Sequence, residues 1–314
     1  MSLTLKELIK IGQTQLEEAG VADAAIDAKE LYCFMMRYDK VALMMHWQDV
    51  LQDNQCEVYF DLVQRRAQRT PLQHITGAQE FMGLSFKVNE NVLIPRQDTE
   101  TMVEDAIELV AKGTLRQNAY LKDKTMKPAA EILDLCCGSG AIGISLASRL
   151  PKAKVTCSDI SGEALEIARK NASQNGCRVK FIQSNLFESK AFAGTLGKKK
   201  FDLIISNPPY IESKEIDVLE PEVRDHEPRL ALDGGEDGLD FYRIIASEAA
   251  AHLKKNGCLM LEIGYNQKDS VKDILRQTGA YDKIIGLSDL TGKDRIVVAS
   301  LQTEENFAYY RKSA

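Results

Sequence analysis

From residue 130 to about 301 the chain alternates short apolar runs with helical patterns, and this alternation restricts the fold more than any other feature. Seven runs read as strands: AEILDL (130–135), KVTCSD (154–159), RVKFIQ (178–183), FDLIISN (201–207), GCLMLEIG (257–264), DKIIGL (282–287) and DRIVVASL (294–301). Strands joined through helices run in the same direction and assemble a sheet that is covered on both faces. The last two runs have no helix-length segment between them and are expected to form an antiparallel hairpin at one end. The expected class is therefore α/β, built on a seven-stranded, mostly parallel sheet.

A chain of 314 residues exceeds what one core usually needs, so two domains are expected. Residues 1–72 read as all-helical. Thr4-Leu5-Lys6-Glu7 has the form of a capping box, and Leu5, Leu8 and Ile9 share the face that follows. Ala28, Leu31, Phe34, Met35 and Tyr38 recur at helical spacing from Asp27 onward. A third helix is expected from about Asn54 to Arg69, ending ahead of Pro71 because the residue before a proline avoids the helical region. The segments CFMMR and VALMMHW read as core packing, with an adaptable partner surface as the alternative. Residues 73–95 carry Gly77, Gly83 and short alternating apolar runs, which predicts a β-hairpin linking the domains. The block 96–302 opens on a helix at PRQDTE and crosses a polar stretch at 112–128, read as an exposed connection, before the sheet begins. Residues 303–314 read as a frayed tail.

Composition narrows the function classes. With 44% hydrophobic and 27% charged residues the chain is neither disordered nor collagen-like. No apolar run approaches the ~18–20 residues of a membrane span. The opening MSLTLKELIKIGQ has charges inside its apolar stretch, so it reads as an amphipathic helix and not a signal peptide. A net charge of −6 disfavours extended contact with nucleic acid, and no direct DNA binding is expected. Seven Cys without a CxxC pair, and four His with none at ligand spacing from a Cys, argue for free thiols in a reducing cytosol. A cytoplasmic monomer with no metal and no membrane contact is the expectation.

The first strand of the block ends in DLCCGSGAIG, where Gly138, Gly140 and Gly143 form a GxGxxG pattern. Such glycines let the backbone turn tightly and let a ligand lie against bare main chain. Asp159 ends the second strand, where a carboxylate can accept from both hydroxyls of a ribose. Strand, loop, helix and acid in this order fit either a dinucleotide or S-adenosylmethionine.

Asn207-Pro208-Pro209-Tyr210 follows FDLIIS, at the carboxyl end of a strand, where open α/β sheets hold their ligands. A planar NH2 group offers two donors; the Asn207 side-chain oxygen can accept one and the Pro208 carbonyl the other. Prolines fix φ and remove competing donors, so the acceptors stay aimed. Tyr210 can stack on the flat target group. The nitrogen lone pair then faces an electrophilic methyl for in-line displacement. Asn207, Pro208 and Tyr210 are the catalytic candidates.

Together these motifs resemble the class I (Rossmann-like) methyltransferases that modify exocyclic or amide nitrogens. PLQHITGAQEFMGLSFKVNENVLIPRQDTE, DLCCGSGAIGISLA, FDLIISNPPYI, HEPRLALDGGEDGLDFYRII, LEIGYNQ and DLTGKDR are similar, more closely, to the peptide chain release factor N(5)-glutamine methyltransferase family (HemK/PrmC), over nearly the whole chain. The resemblance implies an S-adenosyl-L-methionine-dependent enzyme that methylates the glutamine of the GGQ motif in class I release factors and so supports translation termination. It implies that the helical domain and hairpin help hold the partner protein. Carried over by motif position, Cys136, Cys137, Gly138, Ser139 and Gly140 face the methionine and ribose end of the cofactor, and Asp159 binds the ribose hydroxyls. Asn185 and Leu186 lie beside adenine. Asn207 contacts both cofactor surroundings and substrate, while Pro208, Pro209, Tyr210 and, on the hairpin, Phe81 complete the substrate side.

The chain departs from the family pattern at Cys136 and Cys137, where Gly and a small polar residue are usual, at PRQDTE in place of PRPETE, and at Asn185, where an acid is common. Arg96 and Glu100 either orient substrate or cap a helix. GGEDG (234–238) reads as a turn and not a metal site, and His226 as structural. Rival readings are a ribosomal-protein glutamine methyltransferase, a DNA or RNA amino-methyltransferase, an NAD-dependent oxidoreductase, which leaves Asn207-Pro208-Pro209-Tyr210 unexplained, and a noncatalytic interaction module.

Overall fold

The structure, a computed structural model, describes residues 3–112, 129–194, 197–289 and 291–301. Nearly all of the connection expected at 112–128 and the tail expected at 303–314 lie outside the described residues. In chain order, helices α1 (Leu5–Glu18), α2 (Ala24–Met36), α3 (Lys40–Met45), α4 (Asp53–Ala67) and α5 (Leu72–Thr76) precede strands β1 (Ala78–Phe81) and β2 (Leu84–Lys87) and helix α6 (Gln97–Lys112). There follow β3 (Glu131–Leu135), α7 (Ala141–Arg149), β4 (Lys154–Asp159), α8 (Gly162–Gln174), β5 (Val179–Gln183) and β6 (Phe201–Ser206). The chain closes with α9 (Pro221–Arg224), α10 (Asp240–Ala249), β7 (Leu253–Glu262), α11 (Lys268–Gln277), β8 (Tyr281–Ser288) and β9 (Asp294–Leu301).

Contacts divide the chain into two units, Met1–Ala78 with Leu219–Glu227, and Gln79–Val218 with Pro228–Ala314. This differs from the division read from sequence in two respects: the hairpin, read as a separate segment linking the domains, falls almost wholly in the sheet unit, and 219–227 falls in the helical unit.

In the helical unit the capping box forms as expected: Glu7 N donates to Thr4 Oγ1 at 3.3 Å and Thr4 N to Glu7 Oε2 at 2.8 Å. The buried face of α2 is Ala24, Ala28, Leu31, Tyr32 and Cys33, so Phe34, expected inside, is exposed. Met44 and Met45 are 66% and 77% exposed, against the core reading of their segment. Helix α3 is too short to turn more than one residue inward, and that residue is Leu43. Segment 219–227 is tied in by charge. Arg66 Nε donates to the buried Asp27 Oδ2 at 2.7 Å and its Nη1 to Glu222 Oε1 at 2.8 Å, while Arg69 donates to both Glu222 oxygens at 2.7 and 2.6 Å.

The sheet unit carries seven strands in the order β5-β4-β3-β6-β7-β9-β8. Neighbours are parallel from β5 to β7; β9 runs antiparallel between β7 and β8. Side chains alternate between faces. Ile132, Cys157, Leu203, Ile205, Cys258, Met260 and Val298 build a core with α6 and α7 on one face. Leu133, Leu135, Ile204, Leu259, Leu261 and Val297 build a second with α10 and α11 on the other. Burial on both faces explains why the strands read as nearly continuous apolar runs. The connections leaving β3 and β6 go to opposite sides, so a crevice opens at their carboxyl ends.

Met82 and Gly83 join β1 to β2, both with positive φ (54° and 75°), as the twist of a two-residue hairpin favours. Met82, lacking glycine's freedom, has its N–H held by Glu100 Oε1 at 2.6 Å. Asn171 on α8 bonds Lys87 N at 2.7 Å and Lys87 O at 3.1 Å, which fastens β2 to the sheet unit.

Candidate active site

A cleft opens at the carboxyl ends of β3, β4, β5 and β6. Its wall includes Cys136 and Gly138 after β3, Asp159 and Ile160 at β4, Asn185 and Leu186 after β5, and Asn207 and Pro209 after β6. The far side is closed by Asn91, Val92 and Leu93 after the hairpin, by Pro228, Leu230 and Ala231, and by Phe241. Sequence reading missed this far side, because these residues carry no chemistry that marks them and reach the cleft only through the fold.

The glycines of the loop do different work. Gly138 has φ +51°, and an added Cβ would meet nothing within 4 Å, so its bare backbone faces open space. Gly140 has φ +81°, and a Cβ there would press on Ile144 at 2.8 Å and Ala168 at 3.1 Å. Behind the loop the buried Asp134 accepts from Gly143 N at 2.9 Å, and burial pushes its pKa up to about 7. Asp159 ties loop to strand: Gly138 N donates to Oδ2 at 2.8 Å and Ser161 N to Oδ1 at 2.9 Å. Burial raises the Asp159 pKa, against the pull of these amides. Each carboxylate oxygen keeps a further lone pair for a ligand.

These residues fit the adenosyl group that the resemblance implies. Asp159 supplies acceptors for a ribose. Ile160, 46% exposed although apolar, and Leu186 offer flat hydrophobic cover. Asn185 donates Nδ2 to Glu188 Oε1 at 3.0 Å, and its side-chain oxygen is an acceptor of the kind that suits an amino group.

After β6, Asn207 stands one residue beyond the β6–β7 ladder, in which Ser206 pairs with Leu261. The next position across is Glu262. Asn207 Nδ2 donates to Glu262 Oε1 at 2.9 Å and lies 3.4 Å from Thr99 Oγ1 on α6. With its nitrogen held there, the amide oxygen points the other way. Glu262 is 1% exposed and its pKa is pushed up to about 7 by burial. Neither Glu262 nor Thr99 was singled out from sequence; the Thr of PRQDTE was the available signal.

The GGEDG turn packs on the backbone of the motif. Gly234 N donates to Ile211 O at 2.8 Å, Ile211 N donates to Leu232 O at 3.0 Å, and a Cβ on Gly234 would lie 2.7 Å from Tyr210 Cα. Gln267 Nε2 donates to Tyr210 O at 2.9 Å. The turn reading of 234–238 therefore holds, and no cluster of metal-ligating side chains occurs among the described residues. Burial raises the Tyr210 phenol to about 12.

Cys136, Gly138, Asp159, Asn185, Leu186, Asn207 and Pro209 thus meet on one wall. Pro208, Tyr210, Ser139 and Gly140 adjoin it in the chain but do not line it. Two expectations are corrected. Phe81 is 1% exposed, packed edge-on against Phe86 with centroids 6.0 Å apart, because the alternation of β1 turns it into the core. The Cys137 side chain is likewise buried in the core, leaving only its backbone at the loop. Cys136 adopts φ +56°, a conformation that glycine takes more readily, yet still lines the cleft. Glu100 is occupied with the hairpin, and His226 belongs to the helical unit.

Comparison with known proteins gives two family matches: a PrmC N-terminal domain at residues 7–77 and a methyltransferase small domain at residues 115–236. A release factor glutamine methyltransferase from Geobacter sulfurreducens is 40% identical over 294 residues, 94% of this chain and 95% of that protein. One from Moorella thermoacetica is 38% identical over 304 residues, 96% of this chain and 100% of that protein. A solved release-factor-specific protein-(glutamine-N5) methyltransferase from Alicyclobacillus acidocaldarius is 25% identical and covers 69% of this chain and 100% of that one, with a TM-score of 0.39.

Proposed function

The chain belongs to the release factor glutamine methyltransferase family, and we infer that it transfers a methyl group from S-adenosyl-L-methionine to the side-chain amide nitrogen of a release-factor glutamine. The observation that carries this reading is Asn207: it lines the cleft, its donors are held by Glu262 and Thr99 and its acceptor is turned away from them. A carboxamide NH2 is the group that such an acceptor suits.

S-adenosylmethionine, when bound, supplies a methyl on a sulfonium as the electrophile. Asp159 would accept from the ribose hydroxyls, Gly138 would offer bare backbone, and Leu186 and Asn185 would flank the adenine. Asn207 Oδ1 and the Pro208 carbonyl each accept one hydrogen of the glutamine NH2, and Pro209 and Tyr210 border its plane. This orients the nitrogen lone pair toward the methyl carbon. The two acceptors would stabilise the positive charge that develops on the nitrogen as the methyl passes to it from the sulfonium, which would leave as a neutral thioether. Alignment contributes up to ~7–11 kcal/mol. The proton leaves late, to water or a nearby acceptor.

The finer reading is that the target is the GGQ glutamine of a class I release factor and that the enzyme acts as a cytoplasmic monomer. The helical unit helps hold the partner, with Val41, Met44 and Met45 exposed for it. No helix among the described residues is long and apolar enough to cross a membrane. The test is incubation with labelled methyl donor and a release factor, or its GGQ-to-GGA variant, with the label mapped by mass spectrometry. Label on the GGQ glutamine, lost in the variant, is expected; equal labelling of both proteins overturns the assignment.

A further inference from the structure

The side-chain amide of Asn207 is nearly symmetric in shape, so its environment decides which end faces the substrate. The proposed reaction needs the oxygen there, because the target NH2 is a donor. Glu262 Oε1, 2.9 Å from Nδ2, sets that choice, with Thr99 Oγ1 a longer second contact at 3.4 Å. An ionised carboxylate only accepts, so it holds the nitrogen and excludes the flipped amide. A protonated one also donates, and its O–H can bond Asn207 Oδ1 instead. The flipped amide would then present donors to a donor.

The surroundings make this change of state accessible. Glu262 Oε2 is buried and has no hydrogen-bond partner among the described residues, so no hydrogen bond to that oxygen favours its charged form; the Thr99 hydroxyl favours the ionised carboxyl, but less than burial opposes it. The charged and titratable groups facing the carboxyl are Asp98 on α6, Arg295 on β9, Tyr210 after β6 and Tyr242 on α10. The Arg295 cation favours the ionised state, but it is shared with Asp98 at 2.9 Å and Asp289 at 3.3 Å. Tyr242 Oη is committed to the Glu262 backbone carbonyl at 2.9 Å. Burial, which raises the carboxyl toward neutrality, is the largest influence on it.

We propose that Glu262 is a positioning residue for methyl transfer: its carboxylate fixes the Asn207 amide with the oxygen toward the substrate, and its protonation releases that amide and switches the site off. The proposal rests on the reading of Asn207 as the acceptor for the glutamine NH2.

The experiment measures single-turnover methylation of a class I release factor from about pH 5.5 to 9, with S-adenosylmethionine affinity measured by calorimetry alongside. In the native enzyme the rate is expected to fall below about pH 7, approaching tenfold per pH unit, while cofactor affinity stays nearly flat. Glu262→Gln is expected to lose this acid limb and to run roughly ten- to a hundredfold slower on the plateau, with cofactor affinity within about threefold of native. The paired exchange Asn207→Asp with Glu262→Gln puts a carboxylate acceptor toward the substrate and an amide donor behind it, and is expected to recover rate lost by Glu262→Gln alone. A native enzyme with no acid limb, or a folded Glu262→Gln that keeps both limb and plateau rate, overturns the proposal. If Glu262→Gln does not fold, Thr99→Val takes its place: a several-fold lower rate with native cofactor affinity supports the proposal, and an unchanged rate opposes it. A native enzyme that methylates no release factor at any pH overturns the function on which the proposal rests, and the proposal with it.

Discussion

Gly138 donates its N–H to Asp159 Oδ2 over 2.8 Å, so the glycine loop after β3 and the acid that ends β4 form one hydrogen-bonded unit. The carboxylate assigned to the ribose also braces the loop assigned to the rest of the cofactor.

Asp159→Ala removes both functions. S-adenosylmethionine affinity, measured by calorimetry, is expected to fall roughly ten- to a hundredfold, the scale of one or two hydrogen bonds to a charged group. A change below twofold would take Asp159 out of the binding site.

Asn207→Ala removes the substrate acceptor but leaves the adenosyl wall. The methylation rate is expected to fall by roughly two orders of magnitude or more, as for loss of an oriented charge-stabilising group, with cofactor affinity changed by only a few-fold. Equal losses in rate and affinity would contradict the assigned role.

Gly143→Ala tests packing and not chemistry. An added Cβ would collide with Cys157 Sγ and come within 3.0 Å of Asp134 Oδ2, both buried. Overpacking of this kind costs ~1–3 kcal/mol, to be read as a lower urea midpoint. An unchanged midpoint would show that α7 shifts freely on the sheet.

In the helical unit, Asp27 is 5% exposed and Arg66 7%. Burial raises the Asp27 pKa even with Arg66 beside it. Arg66→Met alone leaves a buried carboxyl without its cation and is expected to cost ~3–5 kcal/mol. Adding Asp27→Leu is expected to restore a large part of that loss in urea denaturation; two additive losses would show that the two residues are not coupled.

Glu222 gives a pH signature. Burial alone would raise it, but the bonds from Arg69 and Arg66 outweigh burial and bring its pKa down to about 2. A carboxyl with a depressed folded-state pKa contributes stability above its unfolded value, near 4.5, and loses it as pH falls toward 2. Glu222→Gln is therefore expected to be less stable than the native chain near neutrality and to show a shallower decline in melting temperature below about pH 4.5. Parallel melting profiles for the two proteins would refute the assignment.

Much of the molecule was legible from local pattern. The seven strands, the capping box at Thr4, the loop at Gly138, the acid at Asp159 and the motif at Asn207 each depend on residues a few positions apart, and period and turn chemistry report such neighbours directly. Helices α3 and α5, with six and five residues, were missed because they are too short to show a period. Phe81 was misread because its role depends on which face of β1 meets the core, and four residues do not disclose that.

What the sequence alone determined is the class of fold and the place of the candidate site: alternating runs demand a covered parallel sheet, and Asn207-Pro208-Pro209-Tyr210 at a strand end offers acceptors stiffened by proline. Only the tertiary structure decided which groups hold those acceptors. Asn207 and Glu262 are 55 residues apart, and Arg66 and Glu222 are 156 apart. These pairs meet because strand order and chain return bring them together, and contacts closed over such distances leave no periodicity in the sequence for a reader to find.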